Sequence, residues 1–163
     1  MKVLITGAKG FVGKNLSAAL RYGKKEIELY EFDKENSLEE LKEYCKKADF
    51  IYHFAGVNRP KEIEEYQEGN VEFSKKMLQI LLECGNICPI VLSSSVQASL
   101  TGRYKNSEYG KTKLVSEELF LQYGKITGAN VMIYRFPNLF GKWCKPEYNS
   151  VVATFCYNMA NNL

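Results

Sequence analysis

Tyr109-Gly110-Lys111-Thr112-Lys113 sets a phenol and an amine four residues apart, so a helix would carry both on one side, one turn from each other. An ammonium beside a phenol favours the phenolate, and the pair therefore predicts a tyrosine pKa lowered from about 10 toward neutral. Such a phenol is a general acid. With a hydroxyl from Ser95, or from Ser94 in reserve, holding a carbonyl by a hydrogen bond, the set could protonate the carbonyl oxygen as a hydride arrives at its carbon. Taken alone, a Y-x-x-x-K pair is common on solvated helix faces, and serines after a strand often only cap a helix. A hydride donor held in the same chain is what would give them a reaction.

The first residues supply a place for one. Lys2 to Gly13 read K-V-L-I-T-G-A-K-G-F-V-G, an apolar run that breaks into glycines at Gly7, Gly10 and Gly13 and continues with helical spacing at Phe11, Val12, Leu16 and Leu20. Gly7 permits a tight turn, Gly10 lets backbone N–H groups approach a pyrophosphate, and Gly13 lets the helix pack on the strand. The helix N-terminus adds about half a positive charge facing the phosphates. Acidic Glu31 and Asp33 follow at roughly the spacing a ribose contact requires. A Walker-type loop fits poorly, because Asn15 stands where a magnesium-binding Ser or Thr would be. Lys113 would then also hold the nicotinamide ribose.

These residues need a scaffold. Apolar runs at 2–6, 26–32, 50–54, 90–92 and 131–134 alternate with helix-period segments at 11–22, 38–47, 63–83, 109–123 and from about 151 onward, a pattern that predicts an α/β, doubly wound parallel sheet with helices on both faces. Ser37 and Glu40 form a capping-box pattern at the second helix. Ligands of such sheets sit beyond the carboxyl ends of the strands. Thr6-Gly7, His53 to Gly56, Ser93 to Ser95 and Arg135 to Asn138 should therefore open onto one crevice. His53 itself reads as a packed core histidine, and Trp143, Tyr148 and Phe155 as packing aromatics.

At 163 residues, 45% hydrophobic and 25% charged, the chain suits a single domain, 1–163. A net charge of +3 with both signs interspersed, and no basic stripe interleaved with aromatics, argues against nucleic acid as a partner. No apolar stretch reaches membrane-span length, and the start lacks a secretory signal pattern. Five scattered cysteines without a C-x-x-C pair suit a reduced cytoplasm, and one histidine leaves no metal site to expect.

With T-G-A-K-G-F-V-G, H-F-A-G, G-N-V (Gly69 to Val71), S-S-S, Y-G-K-T-K and R-F-P-N-L-F-G in this order, the chain resembles the extended short-chain dehydrogenases/reductases, Rossmann enzymes that modify nucleotide sugars. More narrowly, A-D-F-I-Y-H-F-A-G-V-N-R-P, L-S-S-S-V-Q-A and P-N-L-F-G-K-W-C-K-P-E-Y-N-S-V resemble the reductase half of the bacterial capsular-polysaccharide reductase/epimerases, in which a cupin follows. The resemblance implies NADPH-dependent reduction at C4 of a UDP-4-keto-6-deoxy-2-acetamido sugar. It implies Gly7, Gly10, Phe11, Val12 and Gly13 at the pyrophosphate, Ala55 and Gly56 at the ribose, and Ser95, Tyr109 and Lys113 as the catalytic set. Asn138, with Arg59 assisting, would contact the substrate diphosphate. Such reductases often pair, so a homodimer through the 63–83 and 109–123 helices is a further expectation. A sugar 4-epimerase or 4,6-dehydratase with bound NAD, and a dinucleotide sensor without chemistry, are the alternatives.

Three departures shape those expectations. Only one helix fits between Asp33 and Phe50, leaving no room for the extra strand that usually brings an acidic residue to adenine. At the end of the second strand Asp33 favours an unmodified ribose, whereas Lys34 and Lys9 suit a 2′-phosphate; the residues leave NAD(H) open and the resemblance favours NADP(H). The family also continues into a substrate-binding segment and the cupin, so the chain reads as a fragment better suited to holding cofactor than to turnover.

Overall fold

A computed structural model describes residues 1–23, 26–148 and 150–163. Five strands, β1 (Lys2–Thr6), β2 (Glu28–Phe32), β3 (Phe50–His53), β4 (Ile90–Ser95) and β5 (Val131–Phe136), form one sheet ordered β2-β1-β3-β4-β5, with every pairing parallel. The chain winds from β1 out to β2, returns past β1 to β3, and then proceeds outward, so the winding reverses between β1 and β3. In such sheets that is the point where ligands enter. Between β2 and β3 there is only the helix α2 (Leu38–Lys47), as the length of that stretch implies.

Residue alternation along the strands builds two cores. Val3 and Ile5 face Leu16 and Leu20 of α1 (Phe11–Arg21), while Leu4, Ile51, Ile90 and Leu92 pack against Leu41 of α2, Met77 and Leu81 of α4 (Phe73–Cys84), and Phe120 of α5 (Glu108–Thr127). The Ser37–Glu40 capping box forms as expected. The last helix, α6 (Val151–Ala160), buries no residue.

The elements differ from the apolar pattern in three places. β4 and β5 run on through polar residues, because Ser93, Ser94 and Ser95 pair with Tyr134, Arg135 and Phe136 across the ladder. α5 extends to Thr127 and stops at Gly128 in the left-handed region. The continuous helix expected over 63–83 is instead a turn, α3 (Glu64–Tyr66), a π-helical stretch Gln67–Glu72, and α4. The wider π turn brings Asn70 inward, where it is buried. At Gly69 the backbone passes so close to Val57 that a Cβ would lie 2.4 Å from its Cγ2.

Candidate active site

All four strand ends anticipated from the sequence open onto one cleft of about 480 Å³. At its floor, Gly7 has φ of 69° and abuts β3: a Cβ there would stand 2.7 Å from Ala55 N. A Cβ on Gly13 would stand 2.3 Å from the Gly7 carbonyl oxygen. The first turn of α1 is therefore pressed against the strand, with bare backbone facing the cleft. Gly10, its N-cap, offers no side-chain cap, and no acidic residue occupies the first turn. Uncapped N–H groups at a helix N-terminus suit a phosphate group, so the corner fits the pyrophosphate of a dinucleotide.

Beside it, Asp33 accepts from the backbone N–H of Lys9 at 2.8 Å and of Lys34 at 2.9 Å, so its carboxylate braces the glycine loop. Lys9 Nζ lies 3.2 Å from Glu35 on the surface. The Glu35 carboxyl is held below the usual range, first by its own backbone N–H and then by Lys9.

On the opposite wall, the N-cap Ser107 starts α5 and brings Tyr109 and Lys113 to one side. Lys113 is buried, donates to the Ser93 carbonyl at 3.0 Å, and lies 5.9 Å from the Tyr109 ring centroid. Burial pulls its pKa down to about 8 against the opposing pull of Glu117. The expected depression of Tyr109 is not what the structure shows. Burial, then the neighbouring phenols of Tyr66 and Tyr148, push Tyr109 up to about 12, and the Lys113 ammonium, which donates to the Ser93 carbonyl, does not offset them. A neutral phenol is the form that can give a proton to a developing alkoxide.

Behind this wall lies a charged cluster that the sequence did not single out. Glu117, one turn past Lys113, takes a two-pronged contact from Arg135 (2.9 and 2.6 Å) and a hydrogen bond from Ser94 Oγ. Burial alone would raise the Glu117 carboxyl, but the hydrogen bonds from Arg135 and Ser94 hold it below the ordinary value. The cluster ties the ends of β4 and β5 to α5. Asn70 does the same for the loop after β3: it closes a pair of hydrogen bonds with Val57 and donates to Thr112 at 3.1 Å. The G-N-V motif was its sequence signal; Glu117 had none beyond its helical spacing from Lys113.

Of the site residues expected from the sequence, Gly7, Lys9, Gly10, Phe11, Val12 and Gly13 line the nucleotide end of the cleft. Gly56, Ser94, Ser95, Tyr109, Lys113 and Asn138 line the remainder. Ser94 spends its hydroxyl proton on Glu117, whereas Ser95 Oγ accepts from the Gln97 N–H. Ala55, Asp33 and Lys34 stand outside the lining, and Arg59 borders an adjoining hollow with its guanidinium over the Tyr148 ring. His53 is a core residue, bonded to Thr6 and Ser74, and burial with the charge of Lys113 takes it down to about 3. Trp143 and Tyr148 border the cleft rather than a core, and Phe155 lies exposed on α6. Asn149, within the last of the resembling motifs, lies outside the described residues.

A doubly wound sheet whose switch point carries this glycine corner and a Tyr-Lys pair defines a dinucleotide-binding fold, and residues 3–163 match the model of the NAD dependent epimerase/dehydratase family. The chain belongs to that family. It is 44% identical over 165 residues to a UDP-2-acetamido-2,6-beta-L-arabino-hexul-4-ose reductase of Pseudomonas aeruginosa, a match covering 100% of this chain and 42% of the relative. The crystal structure of the capsular polysaccharide assembling protein CapF from Staphylococcus aureus superposes with a TM-score of 0.83 at 48% identity, over 99% of this chain and 42% of that one. The RMD of Pseudomonas aeruginosa, complexed with NADPH, shares the fold at a TM-score of 0.78 and 22% identity, over 99% of this chain and 62% of that one. The chain thus spans less than half the length of the first two.

Proposed function

We propose that this chain is the cofactor-binding part of a reductase that converts a UDP-4-keto-6-deoxy-2-acetamido sugar to its 4-hydroxy form, on the way to UDP-N-acetyl-L-fucosamine and capsular polysaccharide. The carrying observation is the convergence of the uncapped glycine corner, Ser95, Tyr109 and Lys113 on one cleft. The 44% identical relative, named as a reductase of a hexul-4-ose, supports the substrate class. A dihydronicotinamide, when bound, would supply a hydride to the sugar C4. Tyr109 would give its phenolic proton to the carbonyl oxygen, completing the reduction of C=O to CH–OH. Ser95 holds that oxygen, and Lys113 holds the ribose and offsets the charge left on the phenolate. Gly56 and Ala55 flank the ribose, and Asn138 and Arg59 serve the substrate diphosphate.

NADP(H) is the proposed cofactor. Asp33 is engaged by two backbone N–H groups, and Lys34, with Lys9 once it leaves Glu35, would supply the positive charge for a 2′-phosphate. The lining of the cleft also holds no Asp, Glu or His among the described residues. A 4,6-dehydratase needs a further acid and base to eliminate water, so this lining favours simple reduction.

A cytoplasmic setting is proposed from the free cysteines, and no described helix is long and apolar enough to cross a membrane. A homodimer is proposed through exposed Leu82 of α4 and Leu121 of α5, a state sedimentation would reveal.

Titration with NADPH and NADH in parallel should show tighter binding of NADPH to this chain, and a form carrying the relatives' full length should lose the dihydronicotinamide absorbance when keto sugar is added. Tyr109→Phe should keep cofactor binding and slow turnover by about 10²- to 10⁴-fold. Cofactor bound by that longer form but never consumed would reduce the reading to a dinucleotide-binding module. Turnover undiminished in the variant would remove Tyr109 from its role.

A further inference from the structure

Gln97 lines the cleft two residues beyond Ser95, on the 3₁₀ turn Val96–Ser99. It is bound on two sides. Its backbone N–H donates to Ser95 Oγ at 3.2 Å, and its side-chain Oε1 accepts from Ser107 Oγ at 2.7 Å. Ser107 is the N-cap of α5, and its oxygen accepts the Gly110 N–H at 2.9 Å. The Gln97 carbonyl also lies against α5 so closely that a Cβ on Gly110 would stand 2.4 Å from it. Gln97 therefore joins the serine of β4 to the first turn of the helix that carries Tyr109.

A carboxamide has one acceptor oxygen and an NH₂ with two donors. Ser107 Oγ accepts the Gly110 N–H and donates its own proton to Gln97 Oε1, so the oxygen end of the amide faces α5. Nε2 makes no hydrogen bond among the described residues, and Gln97 is one of the residues that line the cleft. The donor half of Gln97 is thus held ready by the bracket on its other half, with little rotamer freedom left to lose on binding.

We propose that Gln97 reads the sugar: Nε2 donates a hydrogen bond to a neutral acceptor oxygen beside the reacting carbonyl, a ring hydroxyl or the acetamido oxygen. The inference rests on the reductase reading above, since it needs a sugar at Ser95 and Tyr109. A neutral donor suits a neutral acceptor, whereas the diphosphate of the same ligand calls for charge. Gln97 lines the same cleft as Ser95 and Tyr109, two residues along the chain from Ser95, so its donor would read what stands near the reacting carbon.

The test uses this chain saturated with NADP⁺, which blocks reduction, and calorimetric titration with the UDP-4-keto-6-deoxy-2-acetamido sugar and with UDP. The unmodified chain should bind the sugar nucleotide more tightly than UDP. Gln97→Leu should lose roughly three- to tenfold in affinity for the sugar nucleotide, with UDP and NADP⁺ unchanged. Ser107→Ala, which frees the amide, should give a smaller loss of the same kind, and Ser107→Thr should restore it. Equal losses for UDP and the sugar nucleotide, or no loss in Gln97→Leu, would overturn the role of Gln97 and leave the reductase reading intact. An unmodified chain that binds UDP and the sugar nucleotide equally would overturn the sugar-reading idea at the outset, and failure to bind either would count against the reductase reading itself.

Discussion

The two walls of the cleft are built by opposite means. On the nucleotide side, Gly7, Gly10 and Gly13 bring backbone against backbone, and the shape is set by atoms that cannot move aside. On the far side, the segment from Pro137 to Tyr148 has left-handed Trp143 (φ 66°) and Glu147 (φ 53°), and α6 behind it buries nothing. The contrast follows from what each wall would meet. A pyrophosphate is the same in every dinucleotide and can be held by main-chain N–H groups, whereas a sugar nucleotide must be told apart by side chains.

Gly7→Ala tests this contrast most severely. The substitution forces a Cβ onto a left-handed residue and drives it to within 2.7–2.9 Å of three backbone atoms of Phe54 and Ala55. Gly128, with φ of 79°, has nothing within 4 Å and isolates the conformational part. Gly128→Ala should cost about 1 kcal/mol. Gly7→Ala should cost about 3 kcal/mol or more, because the clash adds to the strain, and should abolish NADPH binding. Thermal melts of both variants check this, and similar costs at the two sites would mean that contact with β3 does not shape the corner.

Lys113→Met should move stability the other way. With a folded-state pKa near 8, below the usual lysine value of about 10.4, the folded chain holds this proton more weakly than the unfolded chain. The burial penalty is therefore present in full below about pH 8 and fades as pH rises toward about 10.4. The stability of the unmodified, unliganded chain relative to that of Lys113→Met should rise across that window, because both share the opposite trend that buried Cys45, Cys88 and Tyr109 impose above about pH 9. The variant should also be more stable near neutral pH by about 2 kcal/mol, and inactive, as expected where a buried charge is kept for function. A variant that melts lower, with a stability difference that stays constant across that window, would show that Lys113 does not titrate there.

This difference between the walls also decides how much was legible in the sequence. A clash of backbones leaves only glycine tolerable, so the corner is written in spacing alone, and the buried strands show as uninterrupted apolar runs such as Val3-Leu4-Ile5. The Tyr109–Lys113 pair was readable because both residues share one helix. What escaped depends on partners distant in the chain. Ser93 to Ser95 continue a strand only because β5 lies alongside, and Glu117 matters only because Arg135 and Ser94 reach it. The phenol of Tyr109 was misjudged for the same reason, since spacing placed the lysine near it but could not show the ammonium turned to the Ser93 carbonyl.

The smallest expected effect concerns a tie between the walls. Asn15 Nδ2 donates to the Phe11 carbonyl within α1 at 2.9 Å and to the Lys142 carbonyl of the far wall at 2.8 Å. Gly141, next to Lys142, comes within 3.9 Å of the Phe11 ring when given a Cβ, so the far wall rests on the nucleotide helix at this point. Asn15→Ala removes both hydrogen bonds from a partly exposed site and should lower overall stability by no more than about 1 kcal/mol. Its effect should instead be local, because besides Asn15 the far wall is hydrogen-bonded among the described residues only by the turn from Cys144 N to the Gly141 carbonyl and by the Glu147 N–H donated to Thr154 Oγ1 at 2.8 Å. Trypsin should then cut after Lys142 faster in the variant than in the unmodified chain, with NADPH binding at the glycine corner unchanged. Equal cutting rates would mean that the wall is held by its apolar contacts with Phe11 rather than by Asn15.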